Sequence, residues 1–174
     1  LYHEKNIKFI GLRDERTGAH MADGYARASN RPGVILAGQN GPGATNLVTG
    51  IAQAAAAFSP VVSIAGFIST KDKIQDAFQG IDQQSLFKPI TKKTWTISKV
   101  KKIPKTFGKA FNLAMSPRRG PVQLNLPRNI LSETDKFNIK NNEKSYETTN
   151  TTKGKKSDIK KAVKIISSAT KPVI

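Results

Sequence analysis

The 174-residue chain contains no cysteine, only two histidines, and 12 acidic residues against 29 basic ones. The absence of cysteine excludes disulfides, thiol nucleophiles and thiolate metal ligands. His3 and His20 belong to no His-x3-His pair or carboxylate cluster, so the sequence predicts no metal site and no catalytic role for His20. No apolar run approaches the roughly 20 residues of a membrane span, and no signal peptide is recognisable. We therefore expect a soluble, cytoplasmic protein with no membrane partner.

The shortage of acidic residues is concentrated in one part of the chain. Residues 83–132 contain 11 basic and no acidic residues, whereas residues 1–82 contain 8 basic and 7 acidic ones. Such an excess of positive charge can attract nucleic acid, an anionic membrane or an anionic substrate. Because these lysines lie beside helix and strand patterns without interleaved aromatic residues, we interpret the block as a solvated surface. A basic nucleic-acid-binding module remains the alternative from another functional class, although we regard a nucleic-acid partner as unlikely.

Apolar segments alternate with helical patterns along the chain. Strands are predicted at 9–12, 34–37, 61–66, 95–97 and 122–126, several of them as the continuous apolar runs typical of strands covered on both faces. Amphipathic helices are predicted at 17–29, between Leu47 and Phe58, and between Phe107 and Ala114. This alternation predicts an α/β fold with a mainly parallel sheet flanked by helices.

Both ends of the chain resemble cut ends, so we expect a fragment of a longer protein. Residues 1–131 are predicted to form the first domain, and the Asn-, Thr- and Lys-rich residues 132–156 a linker. Residues 157–174 are predicted to begin a second, truncated α/β domain. Its opening helix would be capped by Ser157, and its apolar stripe would comprise Ile159, Ala162, Val163 and Ile166.

Glu15 and the Gly41-Pro42-Gly43 turn each follow a predicted strand. Ligands of open α/β sheets bind at the carboxyl ends of the strands, so the carboxylate and the turn could face one crevice. Apolar surroundings disfavour a charged carboxyl group, which would suit Glu15 to proton transfer. Glycine allows close backbone approach, and proline stiffens the turn. The alternative interpretation is a surface glutamate near a helix start and an ordinary strand–helix turn.

Two phosphate-binding motifs do not fit the turn. Gly38-x4-Gly43 is followed by Ala44 and Thr45, without the lysine of a P-loop. Gly41-x-Gly43-x-x-Asn46 lacks the third glycine of the dinucleotide fingerprint. We therefore expect the turn to cradle a group other than a dinucleotide pyrophosphate.

Several ordered motifs together resemble the N-terminal pyrimidine-binding domain of thiamine diphosphate enzymes, with the acetolactate synthase-like branch the most similar. They are the runs 14–27, 33–36 and 40–46, followed by 76–79, 87–92 and 119–128. The resemblance covers roughly residues 7–131, and residues 157–174 resemble the start of the central domain of this family.

The resemblance implies a role for seven residues. Glu15 would be catalytic, hydrogen-bonding the cofactor aminopyrimidine so that the thiazolium C2 proton can be removed. The cofactor-binding residues would be Glu15, Gly41, Pro42, Gly43 and Asn46, and the substrate-proximal ones Phe78 and Gln79.

The resemblance also implies an activity. The whole protein would decarboxylate a 2-keto acid such as pyruvate and ligate the two-carbon unit to an acceptor, the cofactor acting as electron sink. Thiamine diphosphate would be accompanied by Mg²⁺, bound by a domain absent from this chain, and the family allows FAD. The whole protein would be a homodimer or tetramer, and this fragment alone would be inactive.

Two departures from the family pattern and one further similarity keep alternatives open. Asp14 stands where the family often has histidine, and an inward-facing Asp14 would further disfavour a charged Glu15. Gly80 stands where glutamate is frequent. The run from Gln39 to Gly43 is similar to that of sulfoacetaldehyde acetyltransferases, so a sulfoacetaldehyde-type substrate is the first alternative. A non-catalytic paralogue is another.

Overall fold

The computed structural model describes residues 3–137 and 153–173. Within them, four strands alternate with six α-helices and two short 3₁₀ turns. The strands are β1 (Gly33–Ala37), β2 (Val61–Phe67), β3 (Thr94–Thr96) and β4 (Val122–Pro127). The helices are α1 (Glu15–Ser29), α2 (Pro42–Ala56), α3 (Gln83–Phe87), α4 (Ile103–Met115), α5 (Arg128–Leu131) and α6 (Lys156–Ser168), and the 3₁₀ turns are Lys88–Ile90 and Val100–Lys102.

The four strands form one sheet in the order β1-β2-β4-β3, and every pair is parallel. Leu36 of β1 is aligned with Ile64 of β2, which is in turn aligned with Leu124 of β4. Parallel neighbours need crossover connections, which the helices between the strands supply. The α/β fold with a mainly parallel sheet is therefore confirmed.

Each face of the sheet has its own apolar core. On one face, Ile35, Val61 and Ala65 are buried beneath α1 and α2. On the other, Val62 and Ile64 are buried with residues of α4. Residues 61 and 65 thus face one core and residues 62 and 64 the other, as the two-residue period of a strand requires. This burial on both faces explains why β2 and β4 are nearly continuous apolar runs.

Small residues let α1 and α2 pack closely against each other and against β1. A Cβ atom on Gly50 would lie 2.4 Å from Ala19 Cβ, and one on Gly33 would lie 2.1 Å from the Ala22 carbonyl oxygen. Separations below 3 Å are incompatible with ordinary atomic radii, so these positions exclude a side chain. The Ala- and Gly-rich composition of α1 therefore serves close packing.

Three expectations near the start of the sheet are wrong. Residues 9–12 form no strand, and Phe9 and Ile10 are more than half exposed. Their apolar character was sufficient for the prediction, but no described strand pairs with them, and an isolated extended segment has unpaired backbone groups. Val34 and Leu36 are exposed at 51% and 42%, so β1 is not covered on both faces. Phe58 lies beyond the end of α2 with a φ of 55° and is exposed.

The C-terminal expectations are also partly wrong. The last helix begins at Lys156, preceded by Lys155 without a side-chain cap, so Ser157 is not the cap. Its predicted apolar stripe is exposed; Val163, for example, retains 56% of its accessible surface. Residues 171–173 form no strand, and Ile174 lies outside the described residues. Most of the proposed linker, residues 138–152, also lies outside them, and the division into domains remains a prediction.

No helix in the described residues is long and apolar enough to cross a membrane.

We predict that Gly50→Ala destabilises the protein by about 1–3 kcal/mol, because its methyl group would overlap Ala19. Gly24→Ala is the matched control in α1, since a Cβ there meets nothing within 4 Å. This control should stabilise the helix by about 0.5–1 kcal/mol. Urea unfolding of both variants measures the difference, and a Gly50→Ala variant as stable as the unmodified protein would contradict the close packing.

Candidate active site

Glu15 is the first residue of α1, and the helix cap, not a strand end, determines its position. Asp14 precedes the helix and accepts a hydrogen bond from the Arg16 backbone N–H at 2.7 Å. The Arg16 guanidinium also binds the Asp14 carboxylate at 3.1 Å and lowers the pKa of Asp14. Asp14 is therefore turned toward Arg16, and the inward-facing orientation considered from the sequence is not the one observed.

The Glu15 carboxylate contacts the start of α2. Its Oε2 accepts a hydrogen bond from Asn46 Nδ2 at 3.0 Å, and the side chain is half-buried. Its Oε1 accepts no hydrogen bond from the described side chains and lies 3.3 Å from where a Cβ on Gly43 would be. One carboxylate oxygen is thus fixed, while the other lies beside a bare patch of backbone.

The glycine turn joins β1 to α2 in a backbone conformation that requires a glycine. Gly41 has a φ of 56°, a region that favours glycine, and a Cβ on it would lie 2.4 Å from the Gln79 carbonyl oxygen. Pro42 is the first residue of α2 and is exposed, whereas Gly43 is buried. The turn therefore contacts Glu15 through Gly43 and a second loop through Gly41.

That second loop contains the two residues predicted to lie near the substrate. Asn40 Nδ2 donates to the Gln79 carbonyl oxygen at 3.0 Å and to the Phe78 carbonyl oxygen at 3.4 Å. The Phe78 side chain is 87% exposed, and Gln79 has a φ of 58°. The structure thus brings all seven predicted site residues into one continuous region, with Glu15, Gly43 and Asn46 at its centre.

The sequence reasoning missed Gln83, a buried amide beneath the turn. Its Oε1 accepts from the Gly41 backbone N–H at 3.2 Å, while its Nε2 donates to the Gly66 carbonyl oxygen at 3.2 Å and to Asn125 Oδ1 at 3.0 Å. Gln123 also donates to Asn125 Oδ1 at 3.0 Å, and all three amide side chains are fully buried. The sequence signal that could have revealed this buried amide cluster was the presence of Gln123 and Asn125 inside the otherwise apolar strand 122–126.

Several basic residues of the 83–132 block have structural partners. Lys92 Nζ donates to the Leu113 carbonyl oxygen and to Ser116 Oγ, each at 2.7 Å, at the C-terminal end of α4. Partial burial lowers the pKa of Lys92. Arg128 pairs with Asp72 at 2.6 Å, and Lys93 lies over the Trp95 ring. These contacts agree with the interpretation of the block as ordinary surface.

His20 is exposed. Across residues 3–137 and 153–173, no group of three or more His, Asp or Glu side chains is arranged to hold a metal ion. We assign no metal ligand to this part of the chain.

Comparison with known proteins identifies this region. Residues 1–86 match the family model for the thiamine pyrophosphate enzyme, N-terminal TPP binding domain, thiamine pyrophosphate being another name for thiamine diphosphate. The chain therefore contains the N-terminal TPP binding domain of the thiamine pyrophosphate enzyme family. The matched segment contains Glu15, the glycine turn, and the Phe78–Gln79 loop, so the whole candidate site lies within it.

Named relatives match the chain over nearly its full length. The acetolactate synthase large subunit of Buchnera aphidicola (strain Sg) is 42% identical over 97% of the chain and 30% of that protein. Acetolactate synthase isozyme 3 large subunit of Escherichia coli is 39% identical over 97% of the chain and 29% of that protein. The chain therefore spans about 30% of the length of the curated relatives that it matches.

A solved structure supports the same family from the fold. A Mycobacterium smegmatis protein assigned to the thiamin diphosphate-dependent enzymes matches with a TM-score of 0.65 and 25% sequence identity. The alignment covers 71% of this chain and 24% of that one.

We predict that Gln83→Leu destabilises this thiamine pyrophosphate enzyme domain by about 2–4 kcal/mol, because Gly41 N–H and the Gly66 carbonyl lose their buried partner. Gln84→Leu is the control at the neighbouring, exposed position and should change the stability by less than about 0.5 kcal/mol. Urea unfolding measures both. Equal effects at the two positions would contradict the role of the buried amide.

We also predict that Asp82 contributes to the free energy of unfolding in a pH-dependent way. Asp82 caps α3 and so positions Gln83. Hydrogen bonds from the Ser85 hydroxyl and backbone N–H lower the pKa of Asp82 below its ordinary value of 3.8. The stabilisation is therefore fully present above pH 3.8 and is lost as the pH falls through the lowered pKa. Unfolding of the protein and its Asp82→Ala variant from pH 7 to 2 should show a stability difference that shrinks at the acidic end. A difference that grows with acidity would contradict this assignment.

Proposed function

We propose that this chain supplies the pyrimidine-binding half of an active site that decarboxylates a 2-keto acid and ligates the two-carbon unit to an acceptor. Pyruvate is the 2-keto acid that we expect, as the acetolactate synthase names of the relatives suggest. The observation that supports this function best is the Glu15 carboxylate, with one oxygen held by Asn46 and the other beside Gly43.

The residues present fit the pyrimidine ring of thiamine diphosphate. A flat heterocycle needs a hydrogen-bonding partner for its ring nitrogen and an approach that is free of side chains. Glu15 Oε1 offers the first, and the missing Cβ of Gly43 offers the second. We assign the holding of the cofactor to Glu15, Gly41, Pro42, Gly43 and Asn46.

Bound at this site, thiamine diphosphate would supply the carbanion chemistry that decarboxylation and carboligation require. The residues of this chain hold the proton-transferring carboxyl group in position. Glu15 exchanges a proton at Oε1, while Asn46 holds Oε2 and so keeps the carboxylate plane fixed. Gly43 keeps the approach to Oε1 open, and the Gly41 turn holds the neighbouring loop against the site.

The remaining functional assignments go beyond this chain. We propose that Mg²⁺ accompanies the cofactor and is bound by other parts of the protein, that FAD is a further cofactor the family allows, and that the protein acts in the cytoplasm as a homodimer or tetramer. A sulfoacetaldehyde acetyltransferase-like reaction is the alternative, supported by the Gln39-Asn40-Gly41 run.

We predict that Glu15→Gln in the complete protein lowers the rate of pyruvate consumption at least about 100-fold, because the amide cannot exchange the proton. Exchange of the cofactor C2 proton, followed by NMR in deuterated buffer, should slow in parallel. Glu133→Gln, at an exposed glutamate outside the site, is the matched control and should retain activity. A Glu15→Gln variant with a near-normal exchange rate would refute the assigned role.

The same preparation separates the alternatives. Product analysis with pyruvate, and with sulfoacetaldehyde plus phosphate, distinguishes carboligation from formation of acetyl phosphate. A protein that uses neither substrate pair and binds nucleic acid with steep salt dependence would instead support the basic binding module.

A further inference from the structure

Gln39 forms a side-chain hydrogen bond to which the proposed function gives no role. Gln39 Nε2 donates to Gln79 Oε1 at 3.0 Å, linking two residues that are 40 positions apart. The next residue, Asn40, donates to the backbone carbonyls of Phe78 and Gln79. The two residues directly before the glycine turn therefore hold two consecutive residues of the facing loop.

The contacts between the two segments involve the side chain of Gln79 as well as its backbone. Asn40 and the bare Gly41 already fix the position of the Gln79 main chain. The hydrogen bond from Gln39 fixes only how the Gln79 side-chain amide is turned, because Gln39 donates to the carbonyl oxygen of that amide. Among residues 3–137 and 153–173, no side chain or carbonyl accepts a hydrogen bond from the Gln79 NH₂ group, which is left as a donor.

The Gln79 side chain adjoins the turn that also adjoins the proposed proton-transfer group: Gln79 Cβ lies 3.0 Å from the position of a notional Cβ on Gly41. Gln39 Cβ lies 3.0 Å, and Glu15 Oε1 3.3 Å, from the same point, the position of a notional Cβ on Gly43. Gln39 thus connects the surroundings of the Glu15 carboxylate to the Phe78–Gln79 loop. A substrate bound at the proposed site would therefore lie against the same turn as that loop.

We propose that Gln39 is a positioning residue for substrate recognition: by donating to Gln79 Oε1 it presents the Gln79 NH₂ group to the carboxylate of the anionic substrate. An amide N–H donor suits a carboxylate, and a hydrogen bond to a charged group is stronger than one between neutral groups. An amide rotated by 180° would present its oxygen instead and repel the same anion. The inference rests on the proposed function, because it takes the substrate to be a 2-keto acid.

Three substitutions at Gln39 test the polarity of this bond in the complete protein, with KM and kcat for pyruvate as readouts. Gln39→Glu offers only acceptors, so it should turn the Gln79 amide over and raise KM about 10-fold with little change in kcat. Gln39→Met removes the donor and should raise KM about 3-fold. Gln39→Lys restores a donor and should recover most of the loss. Gln53→Met, on the exposed side of α2, is the control for a general effect of the substitution.

Repeating the Gln39→Glu substitution in a Gln79→Met protein separates an effect on the orientation of the Gln79 amide from direct charge repulsion of the substrate. In Gln79→Met, which has no amide to orient, Gln39→Glu should cause no further rise in KM if it acts through Gln79. If the rise persists in that background, the effect is direct repulsion of the substrate and the proposal is overturned. Unchanged KM in Gln39→Glu, with the unmodified protein active on pyruvate, also overturns it while leaving the proposed function intact. An unmodified protein that consumes no 2-keto acid overturns both.

Discussion

Helices α1 and α2 approach each other so closely that a single methyl group on Gly50 would overlap Ala19. This contact fixes the distance between the N-terminal parts of the two helices, which hold Glu15 and Asn46. The 3.0 Å hydrogen bond between these two side chains therefore depends on backbone packing one helical turn away. The reactive carboxylate lies on regular secondary structure, which positions it more firmly than a loop would.

The site is built as two contacting layers. Glu15, Gly43 and Asn46 form the layer where we propose the cofactor ring binds, and the loop with Phe78 and Gln79 forms the layer beside it. The glycine turn belongs to both, since Gly43 adjoins Glu15 while Gly41 touches the Gln79 carbonyl oxygen. Beneath them, Gln83 links the turn to the ends of β2 and β4. A shift of the turn would therefore disturb both layers.

The sequence predicted the features that depend on local pattern. The parallel sheet followed from alternating apolar segments, whereas the site residues, such as Glu15 and Gly41-Pro42-Gly43, were proposed from the family resemblance of several ordered motifs. The strand at 9–12 failed because a strand exists only with a hydrogen-bonded neighbour, which hydrophobicity does not reveal. Gln83 was missed for a related reason: a glutamine is read as solvated unless its buried partners, which are distant in sequence, are known.

Because the Gly41 N–H donates to Gln83, the start of α2 has fewer backbone donors for an anionic ligand. A helix N-terminus attracts phosphate through its unpaired backbone donors. Here the Gly41 donor is already occupied, and Pro42 has none to offer. Two of the backbone donors that an anion would use at this helix start are thus unavailable, which weakens its attraction for negative charge and favours a neutral aromatic surface against the turn.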